Sequence, residues 1–480
     1  MRRPLINAIA LLTACASPHP GQTDPARAEA HLVEQRLIYP VRIAGAPALH
    51  MSLAERMAFQ RVPGVTIAVV RGNRLYWTLA RGAGVSDTTW FQVASISKPV
   101  AALAALTLVD QGVLSLDRPV NDVLRSWRIP DNSFTAGRAV TLRHLLSHSG
   151  GLTNGAVGIY PPGRATPTLL QALDGLPPSS RPAVRVDYEP GSRWRYSGGG
   201  YSVLQQLLID VTGEEFPALT KRLVLTPLGM HRSGFLQPFP DSLASRATPG
   251  HDRRGQVIEG RWWTLPEMAA GGLWSTAPDM ARLIIGLNAA WSGAPGAPLQ
   301  QSTAREMMRR QIDDWGLGVG VDTAGGEIRL FHTGSNNGYR AIIVAFPARG
   351  DGIAVLTSGD NGGSLRDEII RSAAARYGWP GYAQEERHAA ALSPSFVKEL
   401  AGRYDYGRGF VTDIVRDGER VLARLNDGPE YELFAAATAD ELFTLEGVVY
   451  HIERDATGRI SAIRADLGGP PLVGRRSKPH

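Results

Sequence analysis

Residues 100–109 read Val-Ala-Ala-Leu-Ala-Ala-Leu-Thr-Leu-Val. A helix with no polar side has to be covered all round, so this run predicts a buried helix wrapped by other layers. A chain of 480 residues, 43% hydrophobic and 20% charged, can build that cover and has room for more than one domain. The helix is preceded by Phe91-Gln92-Val93-Ala94-Ser95-Ile96-Ser97-Lys98-Pro99. Ser95 and Lys98 stand three apart at its mouth, one turn from each other on one face. A hydroxyl is a weak nucleophile until a base comes within hydrogen-bond reach, and the positive end of a helix favours both an alkoxide and a neutral lysine. The pair reads as nucleophile and proton acceptor of a serine hydrolase. Pro99 disfavours helical geometry at Lys98, which predicts a late or kinked helix start.

Lysine usage sharpens this reading. Of 51 basic residues only Lys98, Lys221, Lys398 and Lys478 are lysine. Arginine stays protonated at physiological pH, whereas a lysine of lowered pKa gives up its proton. Ser395-Phe396-Val397-Lys398 has the same spacing, but it lies near a change of character in the chain and no apolar helix follows it. The net charge of +6 comes from dispersed arginines, with no basic run longer than two residues, so nucleic acid is not an expected partner.

The N-terminus carries Met1-Arg2-Arg3, a short apolar stretch, then Leu12-Thr13-Ala14-Cys15. The apolar part is too short to span a bilayer and reads as a secretion signal over residues 1–14. Leu-Thr-Ala-Cys resembles a bacterial lipoprotein box, which implies cleavage before Cys15, its lipidation, and a lipidated tether over residues 15–30. The expected location is the cell envelope or periplasm, anchored in the outer rather than the inner membrane. Cys15 is the sole cysteine, so no internal disulfide holds the fold.

Two strand-like runs over residues 65–70 and 75–80, joined by Arg71-Gly72-Asn73-Arg74, predict a hairpin ahead of the Ser95 helix. Residues 112–270 read as a mostly helical insertion, in which Thr141 to Leu152 contain a capped short helix. From Trp315 the period returns to strands, and residues 365–377 read as a helix. The expected fold class is α+β: one antiparallel sheet flanked by helices, with the active site between sheet and insertion, over residues 31–385. Beyond Ser393, turn signals at Asp417-Gly418, Asn426-Asp427-Gly428 and Thr457-Gly458 separate short alternating runs, predicting a C-terminal all-β meander or small barrel over residues 393–480.

Further segments add candidate site residues. Tyr196 stands just before Gly198-Gly199-Gly200, where glycine lets a backbone come close to a ligand, and its hydroxyl suits a proton relay to a leaving group. Phe331-His332-Thr333-Gly334-Ser335-Asn336-Asn337 puts a histidine at a strand end, able to supply a donor to the Ser-Tyr-Lys network, with backbone N–H groups facing the cleft. His144 and His148 have helical spacing but lack the glutamate of a zinc-binding H-E-x-x-H, so no metal and no cofactor is expected.

Ser95-x-x-Lys98, then Tyr196, then His332-Thr333-Gly334 resembles, in family order, the class C β-lactamase-like hydrolases of the penicillin-binding-protein superfamily. The resemblance covers about residues 45–380, and a C-terminal lipocalin-like barrel occurs in relatives. It implies that Ser95 is the nucleophile, Lys98 the base or proton acceptor and Tyr196 the proton shuttle, with the oxyanion hole formed by the N–H groups of Ser95 and Ser335. Thr333, Gly334 and Gly198 would line the substrate site. His332 takes the place of the family lysine, and Gly198 the place of an asparagine that contacts the substrate amide. Both departures favour a peptidase or esterase over an efficient β-lactamase.

Lowering Lys98 from about 10.4 to about 7.5 corresponds to about 4 kcal/mol of preference for the neutral amine. Burial, the helix terminus and a cationic His332 are the expected sources. The expected substrate is a small peptide or amide with D-residues, as in cell-wall fragments. A carboxylic ester is the alternative, and a catalytically idle lipoprotein that binds wall peptide is the reading from another class.

Overall fold

The computed structural model describes residues 24–477 apart from 154, 156, 408, 439 and 467–471. Cys15, the signal over residues 1–14 and the tether as far as residue 23 therefore lie outside the described residues. From Pro25 the expected tether is instead a helix, Pro25–Gln35. Asp24 accepts from Ala26 N–H at its start, and Ala30 and Val33 are buried in a cluster that includes Trp77. A narrow apolar stripe in a polar segment, read as linker, is enough to dock it.

The centre of the fold is a six-stranded antiparallel sheet. Its order is Arg74–Arg81, Val65–Arg71, Asp351–Thr357, Tyr339–Phe346, Glu327–Asn336, Gly320–Ala324, so strands from both ends of the hydrolase region meet in one sheet. Both faces are covered at its centre, and Val65–Arg71, Tyr339–Phe346 and Asp351–Thr357 accordingly read as nearly unbroken apolar runs. Along Asp351–Thr357, Ile353 and Val355 pack with the helix Gly362–Tyr377, while Ala354 and Leu356 pack on the opposite side with Ala277–Ser292. Ile342 and Val344 alternate with Ala341 and Ile343 in the same way.

The apolar run is the helix Ser97–Asp110, buried along most of its length in the main core, with Met268–Gly271, Gly198–Thr212, Phe216–Thr220 and Lys221–Leu225 packed against it. It starts without a kink, because Pro99 falls in the first turn, where a backbone N–H has no helical acceptor. Its alanines permit close approach: a Cβ on Gly318 would stand 2.3 Å from the Ala102 Cβ.

The segment 112–270 is less helical than its sequence suggests. Gly198–Thr212 is its one long helix among the described residues; Leu142–Leu146, Leu169–Asp174 and Phe216–Thr220 are each one or two turns. Left-handed Gly175 ends Leu169–Asp174 and left-handed His148 follows the end of Leu142–Leu146, while Phe216–Thr220 runs on only into a π-helical turn, Lys221–Leu225.

The C-terminal region is a nine-stranded antiparallel sheet in a meander. Its two edge segments, Glu430–Glu432 and Phe434–Ala435, are joined by Leu433 alone, so the chain bends over the seam and the sheet curls into a near-barrel. Tyr404, Ile414, Leu442 and Ile463 fill it, and Val397 and Leu400 of the helix Pro394–Leu400 pack into the same core. The barrel docks through a buried cation: Arg56 donates to Glu368 at 2.7 and 2.5 Å and to the barrel's Glu446 at 3.1 Å.

Candidate active site

Ser95 follows a corner at Ala94, whose φ of +48° lies in the left-handed region. A non-glycine there costs on the order of 1–3 kcal/mol and persists only where its surroundings impose it. Here the strand Phe91–Ala94 is pinned to Leu273–Ser275, and Ser97 Oγ donates to the Ala94 carbonyl at 2.6 Å while accepting from Leu273 N–H at 2.9 Å. The corner delivers Ser95 to the helix N-terminus.

Lys98 is 2% exposed, its Nζ 3.1 Å from Ser95 Oγ and 2.6 Å from the Ala270 carbonyl, to which it donates. Ala270 lies in the short helix Met268–Gly271, among the carbonyls that a helix end leaves without an internal partner. Among the described residues no carboxylate pairs with the amine, and burial lowers its pKa to about 7. Ser395 and Lys398, by contrast, are both exposed on Pro394–Leu400.

The Tyr196 phenol, half-buried where it lines the cleft, lies beside Ser95; desolvation dominates and pushes its pKa well above 10. Lys98 Nζ sits 4.8 Å from its ring centroid. What positions Tyr196 is His148, whose spacing in the sequence raised only the question of a metal ligand. Its Nδ1 accepts from Ser197 N–H at 3.1 Å, its carbonyl accepts from Arg195 N–H at 2.9 Å, and its ring lies 4.3 Å from that of Tyr196. Its φ is +58°, and burial holds its pKa well below 6.5, so the ring is neutral. His144 Nδ1 accepts from Thr141 N–H as part of a capping box. Among the described residues no group of three His, Cys, Asp or Glu is arranged to hold a metal ion.

His332 departs from expectation in place and charge. It lies inside the strand Glu327–Asn336, not at its end, and it packs behind the cleft against Trp315 and Tyr196. It is 1% exposed, its Nδ1 is 2.8 Å from the Thr333 carbonyl, and burial with the nearby Lys98 charge lowers its pKa to about 3. A neutral imidazole cannot lower the lysine pKa as a cation would, so desolvation is the cause in its place.

A cleft of about 330 Å³ opens above Ser95, lined also by Lys98, Tyr196, Gly198, Thr333 and Ser335. Gly198 begins the helix that Ser197 caps through Gly200 N–H, and its N–H reaches the Gly155 carbonyl at 3.2 Å. Gly334 is needed for close approach, since a Cβ there would come 2.1 Å from the Val93 carbonyl oxygen, two residues before Ser95. Arg181, which no motif singles out, also faces the cleft; among the described residues the barrel contributes nothing to its lining.

A desolvated amine against a serine hydroxyl, with a phenol beside them in a cleft next to an antiparallel sheet, is the equipment of a serine hydrolase. This chain belongs to the Beta-lactamase family, whose profile matches residues 52–377. It is 27% identical over 368 residues to penicillin-binding protein 4 of Amycolatopsis lactamdurans, covering 72% of this chain and 93% of that one. It is 32% identical over 216 residues to esterase EstB of Burkholderia gladioli, covering 42% of this chain and 54% of that one. The structure of D-amino acid amidase from Ochrobactrum anthropi SV3 superposes with a TM-score of 0.56 at 20% identity, over 68% of this chain and 97% of that one. That last likeness is one of fold.

Proposed function

We propose that this serine hydrolase works through an acyl-enzyme on Ser95. The neutral Lys98 amine takes the Ser95 proton as Oγ attacks the substrate carbonyl, and the N–H groups of Ser95 and Ser335 receive the oxyanion. The proton then passes from Lys98 by way of the Tyr196 phenol to the departing nitrogen or oxygen, and the C–N or C–O bond breaks. Water hydrolyses the Ser95 ester by the reverse route. A positioned base contributes about 10²–10⁴-fold and each oxyanion donor about 10²–10³. The observation that carries this reading is the 3.1 Å contact between Lys98 Nζ and Ser95 Oγ, with no carboxylate among the described residues that line the cleft. His332 serves as a neutral wall behind Tyr196, with Thr333, Gly334 and Gly198 bordering the substrate.

The substrate we propose is a peptide or amide with D-residues, of the cell-wall kind, and the alternative is a carboxylic ester. Similarity to a penicillin-binding protein supports the first, and similarity to EstB supports the second. Cleavage before Cys15 and its lipidation would hold the enzyme at the cell envelope; among the described residues no helix is long and apolar enough to cross a membrane. Initial rates on acyl-D-alanyl amides and on p-nitrophenyl esters decide between the two. A kcat/KM higher on the amides supports the peptidase reading, and turnover of esters alone overturns it.

A further inference from the structure

Among the described residues lining the cleft, the charged side chains are Lys98 and Arg181. Burial lowers the Lys98 pKa to about 7, so near neutral pH it carries only part of its charge, whereas a guanidinium keeps its own. No aspartate or glutamate is among the described residues that line the cleft. An acid close by, Glu267, is 5% exposed and sits behind the wall, one oxygen accepting from Gly158 N–H at 3.4 Å and the other without a partner among the described residues. Burial raises its pKa to about 7, so it offsets the arginine charge only in part.

Arg181 is held in place by its neighbours. Ser179 Oγ accepts from Arg181 N–H at 3.2 Å, and Ser180 N–H donates to the Tyr160 hydroxyl at 3.0 Å. The guanidinium Nε donates to the Val157 carbonyl at 3.3 Å, and among the described residues the terminal nitrogens have no hydrogen-bond acceptor. Thr333, Ser335, Asn336 and Asn337 complete the lining with neutral donors and acceptors. A planar fork with free N–H groups beside a nucleophile matches a carboxylate, and a substrate amine would meet no anion on the wall.

Resting on the hydrolase reading above, we propose that Arg181 is a specificity-determining residue forming an anion subsite, and that the preferred substrate carries a free carboxylate near the scissile bond. D-amino acid amides, which present a free amine, are poor substrates by the same argument.

The test compares matched substrates in one enzyme. Acyl-D-Ala-D-Ala is paired with its C-terminal carboxamide, and an N-succinyl D-alanyl anilide with its N-acetyl counterpart. The wild type favours the carboxylate member of at least one pair in kcat/KM by on the order of tenfold to a hundredfold, the range of one charge-assisted contact. Arg181→Gln brings that ratio close to one, Arg181→Lys restores part of it, and Arg181→Glu moves preference toward D-phenylalanine amide. A purely structural role would alter rates without altering the ratio between paired substrates. Turnover with equal rates on acid and neutral members, or a ratio unmoved by Arg181→Gln, overturns the anion subsite and leaves the hydrolase intact. No turnover of any amide or ester overturns both.

Discussion

The rings of His148 and Tyr196 lie 4.3 Å apart, and His148 also grips the backbone on either side of that tyrosine, at Arg195 and Ser197. One neutral, buried histidine therefore sets where the phenol points. His148→Ala removes the ring and the Ser197 acceptor, and we expect kcat to fall about 10²-fold with little change in KM, as for a misplacement near the chemistry. Steady-state kinetics check this; a change in KM alone would contradict it.

The Lys98 pKa of about 7 fixes the pH dependence. The amine has to be unprotonated to receive the Ser95 proton, so kcat/KM rises with pH on a limb centred near 7. A profile flat from pH 6 to 9, to about a factor of two, would count against Lys98 as the acceptor.

The same burial works against stability. The folded chain holds Lys98 at about 7 and the unfolded chain near the ordinary lysine value of 10.5, so between those limits the unfolded state binds more protons and stability rises with pH. Below that window the penalty is fully present, about 5 kcal/mol by the pKa difference. Lys98→Met relieves it and forfeits the bond to Ala270, so we expect a gain of about 1–3 kcal/mol at pH 7 together with loss of activity. Thermal unfolding of the two proteins at pH 7 reads the sign directly.

Gly334 shares its constraint with the nucleophile loop. A methyl at this position meets the Val93 carbonyl oxygen at 2.1 Å, so Gly334→Ala must push apart the strand and the corner that presents Ser95. We expect destabilisation of about 1–3 kcal/mol by overpacking, read by thermal unfolding. Steady-state kinetics should show catalytic efficiency lowered by about 10²-fold or more, the effect of roughly an ångström of misplacement.

The barrel is fastened by charge. Arg56, 1% exposed, faces two carboxylates, Glu368 and Glu446. Arg56→Leu leaves both buried without their cation, which costs about 3–5 kcal/mol. We expect limited proteolysis to release the barrel from this variant first, because Glu446 is its share of the pair.

Much of this was legible in the order of residues. The Ser95 helix announces itself by having no polar side, and the central strands by apolar runs between turns, because burial on both faces leaves a local signature. The barrel's meander was readable from its turns. A small barrel was among the readings those turns allowed, but the bend at Leu433 was not, since it depends on edge strands far apart in the sheet. His332 was misread for a related reason: the strand runs on past it through Thr333-Gly334-Ser335-Asn336, which look like turn residues until Tyr339–Phe346 pairs with them. Its neutrality, the Ala270 acceptor and the grip of His148 on Tyr196 come from contacts between distant segments, which no spacing encodes. Residues 112–270 misled by composition, as their apolar residues cover the core from short turns instead of long helices.

The central claim, that Ser95 carries the acyl group, is tested most directly by trapping it. Wild type and Ser95→Ala are incubated with a fluorophosphonate or a penicillin, digested, and mapped by mass spectrometry. The account predicts one adduct on the peptide containing Ser95 in the wild type and none in the variant. An adduct that persists in Ser95→Ala, or a wild type that stays unlabelled while turning over substrate, would contradict it.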